Sequence, residues 1–554
     1  MSKNNKNNLY QLFGFSLIAT LGLLSILGSG GGSSGTPPVQ TPDSNFVVFM
    51  ADADTVGQVQ LYKYALADGL VTRLNDNLIA GGDITSFAIS PDRQWIAYVA
   101  DQDVDNVFEL YVRDAALTTA PIKVSGTLVS DGDVSDIPKW SPNSTRIAYR
   151  NNGSSASKFD LTTVAPDGAG REIVSGVGVG PGNVVADSFI WAANSSRIAY
   201  LSDQDAAANV ELYTSPLNTA VGNFKVNGVM AGSGDVTEYA WAPNSSKIVY
   251  RADQVTDNKF ELYTSNPDGT SNTPVGGVTG TGFASNVEVA SISWAPNSSR
   301  IAYRADLTTD EIFNLHTVLP NGTGRIKVNG PLTGNKDVVG RPSWSPDSAY
   351  IAYLSDFNVD EAFELFVSQP TVADFSRKVN GTLMGGNVST GLTQDTPPAW
   401  SPDSRFIAYA AEQDTAGVIE IYAGQPNGLG SVKFSGVMVA DGNASLGPAT
   451  EIWAPTTAVV QYRADQVLDG TDELWNSNGT AIIQFTITPV VPTGLQTFAK
   501  WSPDSAYLAY ASEADTAGTI ELYMSTIGGS TKIKISGVLT SGGNVDATTF
   551  AWAP

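Results

Sequence analysis

The sequence has no cysteine and a single histidine, His316. The first absence excludes disulfides, thiol catalysis and thiolate metal sites. The second excludes any multi-histidine metal site, and a Ser-His-Asp triad could be built only around His316. Basic residues are scarce as well: Lys and Arg number 31 against 55 Asp and Glu, a formal net charge of −24. That balance argues against nucleic-acid binding, where phosphate must be neutralised by Lys and Arg. It favours solubility and cationic partners. The one G-x-S-x-G run, Gly31 to Gly35, stands in a Gly- and Ser-rich stretch rather than between a strand and a helix, so neither a nucleophile elbow nor a hydrolase domain is expected.

What is present is a repeat. Tryptophan recurs at Trp140, Trp191, Trp241, Trp294, Trp344, Trp400, Trp453, Trp501 and Trp552, with Ile89 in the same place one step earlier. The spacing runs from 48 to 56 residues, and such a period signals a repeat architecture. Most units open on W-[SA]-P-[ND]-S, as in Trp294-Ala-Pro-Asn-Ser298, and continue into a run such as Arg300-Ile-Ala-Tyr303. An acidic turn follows, then E-L-Y, a polar turn such as Pro267-Asp-Gly269, and a run ending K-V-N-G such as Lys327 to Gly330. These runs are short, rich in β-branched and aromatic residues, and bounded by Pro, Asn, Asp, Ser and Gly, which marks strands. No unit has helical spacing over three turns. Four strands in about 50 residues make one propeller blade, with the tryptophans as packing anchors between blades.

Trp344-Ser-Pro-Asp-Ser348, Ile351-Ala-Tyr-Leu-Ser-Asp356 and Glu364-Leu-Phe366 together resemble the TolB-type, WD40-like propeller repeat. The resemblance covers residues 46–554 and extends to the non-catalytic propeller of prolyl-oligopeptidase-type enzymes. It implies an all-β fold. The family's usual P-D-G turn is here P-D-S or P-N-S.

Residues 1–30 read as a secretory signal peptide or an uncleaved membrane anchor, with Lys3 and Lys6 ahead of a mostly apolar Leu9 to Leu27. The Gly-, Ser- and Pro-rich residues 31–45 read as a flexible linker, and 46–554 as the propeller. The first unit lacks its W-S-P strand, and the chain closes on Phe550-Ala-Trp-Ala-Pro554, a first strand with nothing after it. The two ends complete each other, and closure removes exposed sheet edges. The count is then ten four-stranded blades in a single ring, with two smaller propellers as the alternative.

In an up-and-down meander the turns between strands one and two share a face with those between three and four. The acidic turns between strands two and three share the opposite face with the Gly-rich loops joining blades. Those loops carry Asp83, Asp133, Asn183, Asp235, Asp337, Asn387, Asn443 and Asn544, so that rim is expected to be electronegative. In one acidic turn Asp101, Asp103, Asp105 and Glu109 stand at positions 1, 3, 5 and 9. This is similar to the calcium loops of integrin-type propellers, and calcium takes six to eight oxygens from a flexible loop. Asp356, Asn358, Asp360 and Glu364 keep oxygen ligands in another unit, whereas Asp253, Asp257 and Glu261 survive with Val255 between them. Calcium is therefore the one metal candidate. The competing reading is that Asp and Asn bond their own turns and that the E-L-Y glutamate pairs across strands with Arg251 or Arg304. The N-x-S/T triplets at Asn143, Asn194, Asn244 and Asn297 read as turn chemistry. His316, in Asn314-Leu-His316 where other units have E-L-Y, reads as a packing residue.

The expected function is an exported, non-catalytic scaffold in the envelope or outside the cell. Its acidic face would take a protein partner or a cationic ligand, with the membrane met only through an uncleaved N-terminal segment. The alternatives are a carboxylate-based propeller enzyme acting on a glycan or small molecule, and a calcium-stiffened surface protein.

Overall fold

The computed structural model describes residues 45–554 apart from 129–131, 156–157, 177–181, 207–208, 218–221, 277–285, 289–290, 310, 394–395, 468–469, 471–472, 485–498 and 530. The expected N-terminal signal and most of the linker lie outside the described residues. Each repeat folds as an antiparallel meander of four strands. Blade V is typical, with strands Val236–Trp241, Ile248–Ala252, Glu261–Ser265 and Thr273–Gly276 paired in that order. Ten such sheets form, and in blade VIII the first strand is split into Gly385–Ser389 and Ala399–Trp400. Fourth strands are short, often two residues, which leaves little open edge for another chain to pair with.

Blade I is composite: Val545–Trp552 supplies its first strand, and Phe46–Ala51, Gln60–Ala65 and Val71–Arg73 the other three. Val47 lies opposite Trp552 and Phe49 opposite Phe550. These four residues are buried in one cluster with Leu522 and Ile535 of blade X. The alternative of two smaller rings is thereby corrected: blades follow one another in chain order and closure is made once.

The core lies between blades. The I-A-Y tyrosine stacks on the E-L-Y tyrosine of its own blade, as in Tyr98 on Tyr111 (5.4 Å), Tyr200 on Tyr213 (5.7 Å) and Tyr250 on Tyr263 (5.4 Å). Both are buried because neighbouring blades cover them. Each of the nine repeat-marking tryptophans is almost wholly buried and its indole N–H donates to a main-chain carbonyl in the first-strand region of the preceding blade. The nine bonds measure 2.7–3.2 Å and run from Trp140 to Ala88 O round to Trp552 to Lys500 O. The tenth junction, from blade I to blade II, has Ile89 and no indole. There Lys63 Nζ reaches Ala115 O at 2.8 Å and the Arg93 guanidinium reaches Pro554 O.

The departure from P-D-G in the first turn has a physical reason. Ser144, Ser195, Ser245, Ser298, Ser348, Ser404 and Ser505 all stand at φ between 60° and 63°, where glycine is the low-cost residue. Each hydroxyl accepts a backbone N–H from the equivalent turn of the preceding blade, for example Asn194 N–H to Ser245 Oγ at 3.1 Å and Asn244 N–H to Ser298 Oγ at 3.0 Å. The strain is exchanged for an inter-blade bond. Ser245→Ala keeps the strain and loses the bond, so it should destabilise by about 1–2 kcal/mol. Ser245→Gly loses both and should stay within about 0.5 kcal/mol of wild type. Urea denaturation of the two variants checks this ordering.

Candidate functional site

The face carrying the strand 2–3 turns and the inter-blade loops holds every metal-ligand candidate. Asp101 is buried, and both its oxygens accept main-chain N–H groups: Oδ1 from Asp83 at 2.5 Å and Oδ2 from Asn106 at 2.9 Å. Asp103 and Glu109 converge, but on the Lys123 ammonium, at 2.9 and 3.0 Å. Glu109 also accepts the Tyr111 hydroxyl. Asp105 is exposed beside Gly81. In the second candidate, Asp356 takes Asp337 N–H (2.6 Å) and Glu361 N–H (3.2 Å). Glu364 binds both the Lys378 ammonium and the Asn358 amide, and Asp360 is exposed. Among the described residues no group of three or more carboxylate and imidazole side chains is gathered in a way that could hold a metal ion. An ion entering either turn would have to displace a lysine or backbone donors.

The first acidic position is a structural latch that recurs where the later positions decay. Asp253 receives Asp235 N–H at 2.5 Å and Asn258 N–H at 2.8 Å. Asp52, Asp203, Asp306 and Asp465 accept the loop N–H in the same way. The loop Asp or Asn then accepts the N–H that leads into the third strand of the preceding blade. Val59 N–H reaches Asp83, Phe108 N–H reaches Asp133, and Phe159 N–H reaches Asn183. Val210 N–H reaches Asp235, Phe313 N–H reaches Asp337, and Phe363 N–H reaches Asn387. Ile419 N–H reaches Asn443 and Ile520 N–H reaches Asn544. The spacing of 2.6–3.0 Å across this set makes a two-step relay that ties each blade to the next. Sequence held a signal for this: a ligand set would be lost together, whereas Asp253 persists in a turn whose third position has become Val255.

The E-L-Y glutamate has a different partner from the expected arginine. Glu211, Glu420 and Glu521 pair with Lys225, Lys433 and Lys534 on the fourth strand. Arg251 points to the other side of its sheet, lies 3.8 Å from the Phe260 ring and donates to Val287 O of the next blade at 2.7 Å. Arg304 does the same to Val338 O at 2.9 Å. Alternation along the strand explains the correction, because Arg251 is opposite Leu262 and one residue out of register with Glu261. In blades II, IV, VIII and X one lysine is shared by two carboxylates, the second being the half-exposed Asp103, Asp205, Asp414 or Asp515. Each such triad keeps one negative charge at the rim.

Sequence reasoning missed a second cluster, at the end of the first strands of blades III and IV that lies on the same face. Asp136 and Asp187 both have positive φ, 68° and 55°. Asp187 N–H donates to Asp136 Oδ2 at 2.9 Å, and Arg150 lies 3.4 Å from Asp136 Oδ1. Lys139 Nζ donates to Asp187 O and Phe189 O, both at 3.1 Å. Burial raises the Asp136 pKa against the pull of these partners, and burial lowers that of Lys139. Strained carboxylates with shifted pKa are a recurrent mark of function. Nothing in the repeat pattern distinguishes these two aspartates.

His316 is packing, as expected. It is buried and stacked on Tyr303 at 5.6 Å, with Nε2 unpartnered. Burial, aided by Arg325 and Lys327, pushes its pKa down to about 3. Folded, it stays neutral; unfolded, it takes up a proton below its ordinary value of 6.5. Stability is therefore intact above pH 6.5 and falls on acidification towards pH 3, by about 2 kcal/mol between pH 7 and pH 5. Replacing His316 with Phe should remove that increment, as read by urea midpoints at the two pH values. The asparagines of the N-x-S/T triplets are engaged in their own turns, with Asn143, Asn194 and Asn244 each accepting the hydroxyl two residues on at 2.7–2.8 Å.

The chain is a ten-bladed β-propeller. Its W-[SA]-P-[ND]-S, I-A-Y and E-L-Y runs occupy the first three strands, where the TolB-type resemblance puts them. No protein-family model and no curated protein sequence matches it. Among solved structures it is similar to dipeptidyl peptidase 4 of Porphyromonas gingivalis, at 11% identity and TM-score 0.47, over 72% of this chain and 58% of that one. It is similar to an oligogalacturonate lyase in complex with manganese, at 11% identity and TM-score 0.33, over 69% and 96%. It is also similar to a protein described as TolB from Agrobacterium tumefaciens, at 14% identity and TM-score 0.26, over 44% and 79%. The chain thus spans less than two thirds of the peptidase. These likenesses bear on fold alone.

Proposed function

We propose that this propeller is an exported, non-catalytic binding scaffold whose loop face takes a cationic protein surface. The observation that supports it most directly is the two-to-one ratio of carboxylate to lysine in the rim triads of blades II, IV, VIII and X. The inner carboxylate and the latch aspartates hold the fold. The half-exposed Asp103, Asp205, Asp414 and Asp515 lie at the turn tips, where screening is set by bulk salt. Surface charge of this kind steers a partner and sets its association rate more than its final affinity. The positive start and apolar stretch of the N-terminal segment support the export part of this reading.

The test is association with a lysine-rich protein surface, measured by stopped flow across a salt series. Neutralising all four tip aspartates to asparagine should lower the association rate about tenfold at low salt and flatten its salt dependence. An unchanged rate in the quadruple variant would remove the basis for the reading. Fractionation of the natural source should find the protein outside the cytoplasm.

A further inference from the structure

The loop face carries apolar tips among its charges. Val229, Val437 and Val538 are 90%, 84% and 92% exposed, the three most exposed large apolar side chains among the described residues. All three follow the glycine that ends the fourth-strand motif, in Asn227-Gly-Val229, Ser435-Gly-Val437 and Ser536-Gly-Val538. The same place holds valine again in the sequence at Val177 and Val278, and is polar or proline in other units, with Thr127, Pro331 and Thr382. The residue after each valine, Met230, Met438 or Leu539, packs into the core between blades, so the loop is anchored and its valine held outward.

Each of the three loops lies against the strand 2–3 turn of the next blade. Ala231 N–H donates to Gln254 O, Asn443 N–H to Asp465 Oδ1 and Thr540 N–H to Ala53 O. Those turns present a second exposed valine: Val255, Val467 and Val56, at 66%, 55% and 55%. The rim therefore repeats one arrangement at three described junctions, two outward valines on the face that carries the lysine-sharing carboxylate triads. Asn45, the first described residue, sits on the opposite face, where its amide donates to Asp504 at 3.3 Å and its carbonyl accepts Leu66 N–H.

We infer that the loop face docks a cationic, amphipathic protein segment that reads the paired valines as well as the charge. This rests on the scaffold reading and deepens it. Charge complementarity selects the occupant: a second copy would bring another net charge of −24 against the same acidic rim. Isolated surface valines carry no meaning. Three pairs at equivalent loops, each held out by a buried neighbour, form a patterned surface.

The experiment uses the full chain and two synthetic peptides of equal charge, one alternating Lys and Leu, the other Lys and Ser, followed by fluorescence anisotropy. The Lys-Leu peptide should bind about tenfold more tightly. A Val229→Ser, Val437→Ser, Val538→Ser triple variant, shown to keep the wild-type melting temperature, should erase that difference and leave Lys-Ser binding unchanged. Equal binding of both peptides to wild type, or a preference that survives in the triple variant, overturns the inference while the scaffold reading stands. If neither peptide binds, both fall. Concentration-dependent dimerisation that the triple variant abolishes would assign the valines to self-association and also overturn it.

Discussion

Truncation after Asn544 should abolish the cooperative unfolding of the ring. The deletion removes the first strand of blade I and with it Phe550 and Trp552, both buried against Val47 and Phe49. Losing a buried aromatic side chain costs about 3–5 kcal/mol. Two of them, with the strand pairing, reach about 6–10 kcal/mol, comparable to the whole stability of a typical domain at about 5–15 kcal/mol. The closing bonds go too: Trp552 Nε1 to Lys500 O at 2.7 Å, and Lys500 Nζ to Phe550 O at 2.7 Å. Calorimetry should show the loss or strong broadening of the transition, and limited proteolysis should begin in residues 46–73. An open array of repeats would lose only the stability of one unit and keep a sharp transition. That outcome would contradict ring closure. Trp552→Phe is the graded control, since it keeps most of the buried area and forfeits the indole bond, at about 1–2 kcal/mol.

Removing a single latch carboxylate should have the largest effect of any point change on the loop face. Asp253→Ala leaves the Asp235 and Asn258 N–H groups without their acceptor, and the side chain is 3% exposed. Stranding two donors in a site that water reaches poorly costs about 2–5 kcal/mol. Asp253→Asn keeps one acceptor oxygen and should lose about half as much. Asp257→Ala, four residues on in the exposed part of the same turn, should stay within about 0.5 kcal/mol of wild type. Urea denaturation of the three variants gives the order directly. If Asp253→Ala and Asp257→Ala behave alike, the latch is not what holds the turn.

Much of the architecture was legible before any coordinates. Trp344-Ser-Pro-Asp-Ser and Glu364-Leu-Phe recur beside short apolar and aromatic runs bounded by turn residues, and pattern of that kind is set locally, by side-chain burial and turn chemistry. Head-to-tail completion was legible for the same reason, since Phe46 opens on a second strand and Phe550 to Trp552 ends on a first. The acidic turns were harder to read. Asp101 and Asp103 are two residues apart and identical in type, yet one is buried on backbone N–H groups and the other sits half exposed on a lysine. A spacing of 1, 3, 5, 9 does not separate those roles.

By itself the sequence determined the strand content, the ten units, their order and the net charge, because each of these depends on residues near one another in the chain. Only the tertiary structure decided what the charges do. Asp133 meets Phe108, Asp187 meets Asp136 and Arg251 meets Val287 across blade boundaries. The energy of a buried carboxylate depends on which donors surround it, and in a closed ring some of those donors belong to the neighbouring blade, as Phe108 does for Asp133 and Asp187 for Asp136.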